Sequence, residues 1–347
     1  AKKCKEGDNA CFQALNDEVL NFQKSYLDKY QNLFASKFIK MNIEPNVPEK
    51  APYEVDDLRM WRYMYYLAHY WDNVDLQDER MVHTVNFYQK LDYFFQKAVA
   101  QEPDSLIRRA DLLLAQLPEK TELYKYVLHY LTYTYETSKI ICFDKVFSHM
   151  ATEYYANDKA FWLDSAKVAQ IVQRGKEMAP TNCGNIAPNI MLPDTSGKKF
   201  YNLHNLKSKY KLLVFWEHSC GHCKKELPVL IKSLAKYPKE ILQVMAVETD
   251  INTDGWKKYL NEHPEMGGWV NVSDNEDMRK KEVYFDLIRN GYTSAESLNF
   301  RNMYDIFATP KLYLLDENNV IKAKGLNAET VEKLLDVFLK EDQKESK

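Results

Sequence analysis

The chain has 347 residues, 45% hydrophobic and 28% charged, which is enough for two domains that each bury a core. Its 47 basic and 50 acidic residues leave a net charge of -3, so there is no global footprint for nucleic acid or an anionic membrane. No apolar run approaches the ~20 residues of a membrane span, and six cysteines are too few for a disulfide-held scaffold although their even number suits an oxidising compartment.

Between Gly7 and Gly175 there is no glycine, which suits helices joined by short turns; the rest reads as mixed α/β. From Cys11 to about Met41, Phe12, Leu15, Val19, Phe22, Tyr26 and Tyr30 recur at helical spacing, ending before Pro45, Pro48 and Pro52. Val55 to Trp71 and Glu79 to Ala100 carry similar stripes. Pro103 opens a helix to about Leu117, Pro118 and Thr121 begin a longer one through Tyr155, and Asp158 is placed to cap the last, ending near Met178. These elements predict an all-α N-terminal bundle or short stack over residues 1–178. Its many tyrosines, Tyr63, Tyr65, Tyr66, Tyr126, Tyr130, Tyr133 and Tyr135 among them, read as core residues with wetted hydroxyls in preference to a peptide-binding face. His69, His83, His129 and His149 have no metal-ligand spacing.

Residues 179–186, with Pro180 and Gly184, read as a linker, and residues 187–347 as an α/β domain. The Pro193-Asp194-Thr195-Ser196-Gly197 turn and Lys199 to Leu203 predict a β-hairpin. Lys211 to Trp216 is too short for a buried helix and fits a central strand; Gln243 to Val247 completes a β-α-β unit with it. Trp256 to His263 reads as a helix and Trp269 to Val272 as a strand. Asp274 to Tyr304 is polar, with helical pieces, and Lys311 to Leu315 with Val320 to Ala323 forms an antiparallel hairpin before a closing helix over Glu329 to Leu339.

Chemistry concentrates between the central strand and the next helix, in Cys220-Gly221-His222-Cys223. Cys223, Leu227, Leu230, Ile231 and Leu234 share one helix face, which places Cys220 at that helix's N-terminus. Unpaired backbone N–H groups and the positive end of the dipole there favour a thiolate, the species that attacks disulfides. Cys223 lies one turn deeper, within reach of a disulfide with Cys220. His222 is a second lever on the attacking anion, and Glu226 projects toward the base of the pair, where it either carries the deeper proton as a buried carboxylate of raised pKa or is an ordinary exposed helix glutamate.

The segment Trp216 to Pro228, WEHSCGHCKKELP, resembles the thioredoxin-like fold of the TlpA and ResA type of bacterial envelope thiol-disulfide oxidoreductase, over roughly residues 184–340. The resemblance implies a mixed sheet preceded by a β-hairpin, a helix kinked at Pro228, a cis-proline loop at Thr309-Pro310 and an acid-base role for Glu226. Thr309, Pro310 and Trp216 are then expected to meet substrate, Cys220 to attack and Cys223 to resolve. The N-terminal half is similar to helical domains fused to some such proteins, without a motif. No separate cofactor is implied beyond the Cys220-Cys223 pair. The partners expected are disulfide or dithiol proteins and a thiol-disulfide electron donor or acceptor, in a periplasmic setting with a leader removed. The CGHC sequence is the one seen in protein disulfide isomerases, which leaves reduction and isomerisation both open.

A single CxxC also serves half a zinc site, but no second CxxC follows, and His218, Cys220, His222 and Cys223 cannot surround a metal from one tight turn without strain. A peroxidase site is disfavoured because Pro-x-x-x-Thr-x-x-Cys is absent. The other class of reading is a binding or assembly factor whose helical domain holds a client. Of the remaining cysteines, the Gly-Asp-Asn turn permits a Cys4 to Cys11 bridge; free thiols and a Cys142 to Cys183 bridge are the alternatives.

Overall fold

The computed structural model describes Cys4 and residues 7–345. By compactness the chain forms two units that do not follow chain order: one runs to Thr134 and takes back Asp158–Asp164, and the other holds Tyr135–Asn157 with Ser165–Lys347. Two segments of the stretch expected to be one helical domain therefore pack with the C-terminal unit.

The first unit contains α1 (Asn9–Lys29), α2 (Phe34–Met41), α3 (Leu58–His69), α4 (Val85–Tyr93), α5 (Pro103–Leu114) and most of α6 (Glu122–Glu136). The single helix expected from Cys11 to Met41 breaks after Lys29, where the Tyr30 N–H closes on Tyr26 and the chain turns through Leu33. Tyr70, Trp71, Phe87, Phe94 and Phe95 form an aromatic core, with Tyr70 and Phe94 centroids 4.5 Å apart. Tyrosine hydroxyls are tied to backbone or carboxylate, as in Tyr70 Oη to the Lys90 carbonyl and Tyr130 Oη to Asp92. Tyr65, Tyr66 and Tyr126 are half-buried, while Tyr133 is exposed.

The helix expected to run through Tyr155 stops at Glu136. Cys142 has a φ of 69°, a left-handed value incompatible with helix, and the chain resumes as α7 (Asp144–His149) and a π turn to Tyr154. Asp158 likewise sits at φ 59° in a turn, so α8 begins only at Ser165 and ends at Met178. Cys142 is bonded to Cys183, and Cys4 to Cys11, so both bridges that the sequence left open are formed. α8 packs on the α7 region through Gly175, where a Cβ would collide with Ala151.

The rest of the second unit is a five-stranded sheet in the order β5-β4-β3-β6-β7, preceded by the hairpin of β1 (Met191–Pro193) and β2 (Phe200–Asn202). β3 (Tyr210–Trp216) pairs parallel with β4 (Leu242–Glu248), β4 parallel with β5 (Val270–Ser273), and β3 antiparallel with β6 (Lys311–Asp316), which carries β7 (Ile321–Lys324) on the edge. All seven β3 residues are buried, as a strand covered on both faces requires. One face holds α9 (Gly221–Leu234), α10 (Thr253–Glu262) and α14 (Ala328–Glu345); the other packs against residues such as Phe300 and Tyr304. The polar insertion contributes α11 (Lys281–Arg289), α12 (Ala295–Leu298) and α13 (Phe300–Met303). Residues 184–187, inside and just past the expected linker, are hydrogen-bonded to 319–321 at the edge strand.

Candidate active site

β3 ends at Trp216, and residues 217–220 turn the chain into α9 with Cys220 as its N-cap. The Cys220 sulfur accepts from the Cys223 N–H at 3.4 Å, and its thiol donates to the Thr309 carbonyl at 3.3 Å. The Thr309–Pro310 peptide is cis, and the loop lies directly against the half-buried Cys220 sulfur. Both cysteines are free thiols.

Their environments pull the two thiols apart. Burial pushes Cys220 up, but hydrogen bonding from the Thr309 side chain and from the Cys223 and His222 N–H groups outweighs it and holds this thiol below the ordinary cysteine value. Cys223 is 1% exposed, and burial pushes it up to about 12 despite the Glu217 N–H directed at its sulfur. One sulfur is thus partly accessible and held toward its thiolate, and the other is buried and held toward its thiol.

The expected site residues fall in different places. His222 is exposed beside Cys220, and its backbone N–H supports the Cys220 thiolate. Trp216 is fully buried, its ring 5.0 Å from that of Tyr259, so it floors the site beneath the cysteines instead of forming the surface a substrate would meet. Glu226 is half-buried, and its Oε2 accepts the Ala328 N–H at 3.1 Å, capping the first turn of α14. Pro228 lies within α9 as expected.

Sequence reasoning missed Glu248, the last residue of β4 and opposite Trp216 in the parallel ladder. It is fully buried. Its Oε2 and Oε1 lie 3.1 and 3.3 Å from the His218 N–H, Oε1 also accepts the Asp250 N–H at 3.2 Å, and the His218 Nδ1 stands 3.4 Å away. Burial pushes this carboxyl up to about 8; the Asp250 and His218 N–H groups work against the rise, and the Asp250 and Glu217 charges add to it. The imidazole of His218 occupies the space left by Gly255, where a Cβ would overlap it. An acid ending an apolar strand, Val244-Met245-Ala246-Val247-Glu248, was the available signal. Phe307, two residues before Thr309, was also missed: it is 81% exposed, with the Arg174 guanidinium 5.6 Å over its ring. Next to Pro310, a cavity of about 400 Å³ is lined by Ile140, Cys142, Arg174, Asp305, Lys311 and Lys324.

Among the described residues, no group of three or more His, Cys, Asp or Glu is placed to hold a metal ion, and no helix is long and apolar enough to cross a membrane. A family model described as the AhpC/TSA family matches residues 183–324, and one described as a domain of unknown function, DUF5106, matches residues 21–178. The thiol-disulfide oxidoreductase ResA of Bacillus thuringiensis (strain Al Hakam) is 32% identical over 80 residues, which is 23% of this chain and 46% of that protein. ResA of Bacillus subtilis (strain 168) is 38% identical over 64 residues, 18% of this chain and 35% of that protein. The chain therefore spans less than half the length of these curated relatives. A thioredoxin-like protein from Bacteroides caccae shares the fold, with a TM-score of 0.53 at 21% identity over 85% of this chain and 98% of the other. Residues 183–324 thus match the AhpC/TSA family model and carry the thioredoxin-like fold, part of them is similar in sequence to ResA-type thiol-disulfide oxidoreductases, and residues 21–178 match the DUF5106 model.

Proposed function

We propose that the protein is a thiol-disulfide oxidoreductase of the cell envelope that exchanges the Cys220-Cys223 dithiol or disulfide with protein substrates as a reductase or isomerase. The observation that carries this reading is the opposed setting of the two thiols: Cys220 half-buried with its pKa depressed at a helix N-terminus, Cys223 buried and protonated. In the reducing direction the Cys220 thiolate attacks a substrate disulfide, forming a mixed disulfide and releasing the first substrate thiolate. Cys223 then loses its proton and attacks the Cys220 sulfur. The enzyme disulfide forms, the second substrate thiolate leaves, and two electrons have passed to the substrate. Thr309, Pro310 and the exposed Phe307 offer the surface on which an extended substrate lies beside Cys220. A second dithiol protein closes the cycle.

The test is the reduction potential of the Cys220-Cys223 couple against glutathione, paired with Cys223→Ser, which should trap substrates as mixed disulfides on Cys220. A potential near about -270 mV would assign reduction, and one toward about -180 mV isomerisation. Absence of any two-electron couple, with no trapped partner, would sink the proposal. A second reading, in which the helical region holds a client protein, draws on α1, which buries none of its side chains and leaves Phe12, Val19 and Phe22 exposed. Under that reading, client binding survives loss of both active-site cysteines.

A further inference from the structure

The resolving step must remove a proton from a thiol buried as deeply as Cys223, and the carboxylate that sequence assigned to this task, Glu226, is bonded to Ala328 at the start of α14. Glu248 has the placement the task requires. Strand alternation puts it on the same face of β4 as Val244 and Ala246, and those two belong to one buried cluster with Trp216, Cys223, Trp256 and Tyr259. Successive backbone N–H groups of the turn before α9 link the two reacting groups: that of Glu217 is directed at the Cys223 sulfur, and that of His218 donates to the Glu248 carboxylate. A Tyr259 ring in the same layer is raised by burial and by the charges of both Cys223 and Glu248.

We propose that Glu248 takes the proton of the Cys223 thiol as the mixed disulfide resolves, and returns it when the enzyme disulfide is reduced. The inference rests on the dithiol reading above. In the forward step the Cys223 S–H bond breaks and its proton passes to the Glu248 carboxylate. The resulting thiolate attacks the Cys220 sulfur, the Cys220–Cys223 bond forms, and the Cys220–substrate bond breaks with the electron pair leaving on the substrate thiolate. No further oxidant is needed, because the substrate disulfide has accepted the two electrons.

The surroundings leave Glu248 free to act as the titrating group. From the turn after β3 it faces Glu217 and His218; Glu217 accepts a hydrogen bond from the Thr249 hydroxyl. Asp250 follows it on its own strand, and Tyr259 comes from α10. From β5 the Ser273 hydroxyl donates to the Glu248 carbonyl, and Asp274 is bound by Arg279 and Arg301. Arg301 also donates to the Thr249 carbonyl, so this guanidinium is committed elsewhere. Among these facing groups no lysine or arginine pairs with the Glu248 carboxylate; the one side-chain nitrogen beside it is the titratable His218 Nδ1, 3.4 Å from Oε1.

The experiment follows resolution directly in the full chain. Reduced protein is mixed with oxidised glutathione, quenched in acid at intervals, and the glutathione mixed disulfide on Cys220 is counted by mass. The wild type should resolve it at a rate that rises with an inflection near pH 8. Glu248→Gln should resolve at least tenfold more slowly at pH 7 and lose that inflection, and Glu248→Asp should restore an inflection. A Glu248→Gln profile superimposable on wild type would overturn the inference while leaving the dithiol reading intact. A wild type that forms neither mixed nor internal disulfide would overturn the dithiol reading itself. Should Glu248→Gln fail to fold, carboxyl titration of Glu248 by carbon NMR in the wild type decides: its midpoint should differ between the reduced and disulfide forms, and coincident midpoints would refute the coupling.

Discussion

Replacing Glu248 by glutamine should stabilise the reduced protein, by an amount that grows with pH. The carboxyl is raised to about 8 in the fold by burial, against an ordinary glutamate value of about 4.3 in the unfolded chain. Between those values the native state keeps a proton that the unfolded state releases, so wild-type stability is fully present below the unfolded value and falls as pH rises through the folded one. The slope is about 1.4 kcal/mol per pH unit, and the whole window is worth on the order of 5 kcal/mol. Glutamine mimics the protonated acid: its amide oxygen can keep the Asp250 and His218 N–H partners of Oε1, and it does not titrate. Urea unfolding of the full chain from pH 4.5 to 9, with amide exchange of β3 and β4 as the local readout, measures the difference. The two variants should coincide near pH 4.5 and separate steadily toward pH 8. Parallel stability curves would refute the claim that Glu248 is neutral when buried, and with it the basis for its proton exchange.

Alkylation with iodoacetamide across the pH range should modify Cys220 first and leave Cys223 almost untouched at neutral pH. A thiol at about 12 has roughly a thousandfold less thiolate there than a free cysteine, and 1% exposure slows it further; rates within tenfold of each other would contradict the assignment. Glu226→Ala removes the acceptor of the Ala328 N–H and should destabilise the C-terminal unit by about 1 kcal/mol, read in a urea melt. Converting Cys142 and Cys183 together to serine opens a loop of 41 residues, which by chain entropy should cost about 4 kcal/mol in non-reducing urea melts and nothing when both proteins are reduced.

Cys220 and Cys223 come together at one site because β3 stops at Trp216 and α9 takes Cys220 as its N-cap, with Thr309, just before the neighbouring β6, against the Cys220 sulfur. The helical segment Tyr135–Asn157 is more than an N-terminal accessory, since Ile141 packs against the buried cluster that contains Cys223. Lys324 of β7 also pairs with Asp144 of α7. These contacts bring residues remote in sequence to the flank of the cis-proline loop, where the Cys142–Cys183 bond ties Cys142 beside Lys311 in the lining of the adjoining cavity.

Local chemistry was written in the sequence. The short continuous apolar run of β3, the three-and-four spacing of α9 and the CGHC between them determine which cysteine caps the helix and which is buried, because each depends only on near neighbours. Pro228 within α9, the β1–β2 hairpin and the order of strands and helices were legible for the same reason. Helix ends at Glu136 and Ser165 were not, since Cys142 and Asp158 take left-handed backbone values that interrupt a hydrophobic period continuing on both sides. Three-residue spacing aimed Glu226 at the cysteines, but the position of α14 drew its carboxylate to Ala328. Glu248 lies 25 residues beyond Cys223 in sequence, and only the parallel pairing of β3 with β4 brings it beneath them. Burial, which sets the proton affinities of Cys223 and Glu248 alike, is a property of the packed layer and belongs to no single stretch of chain.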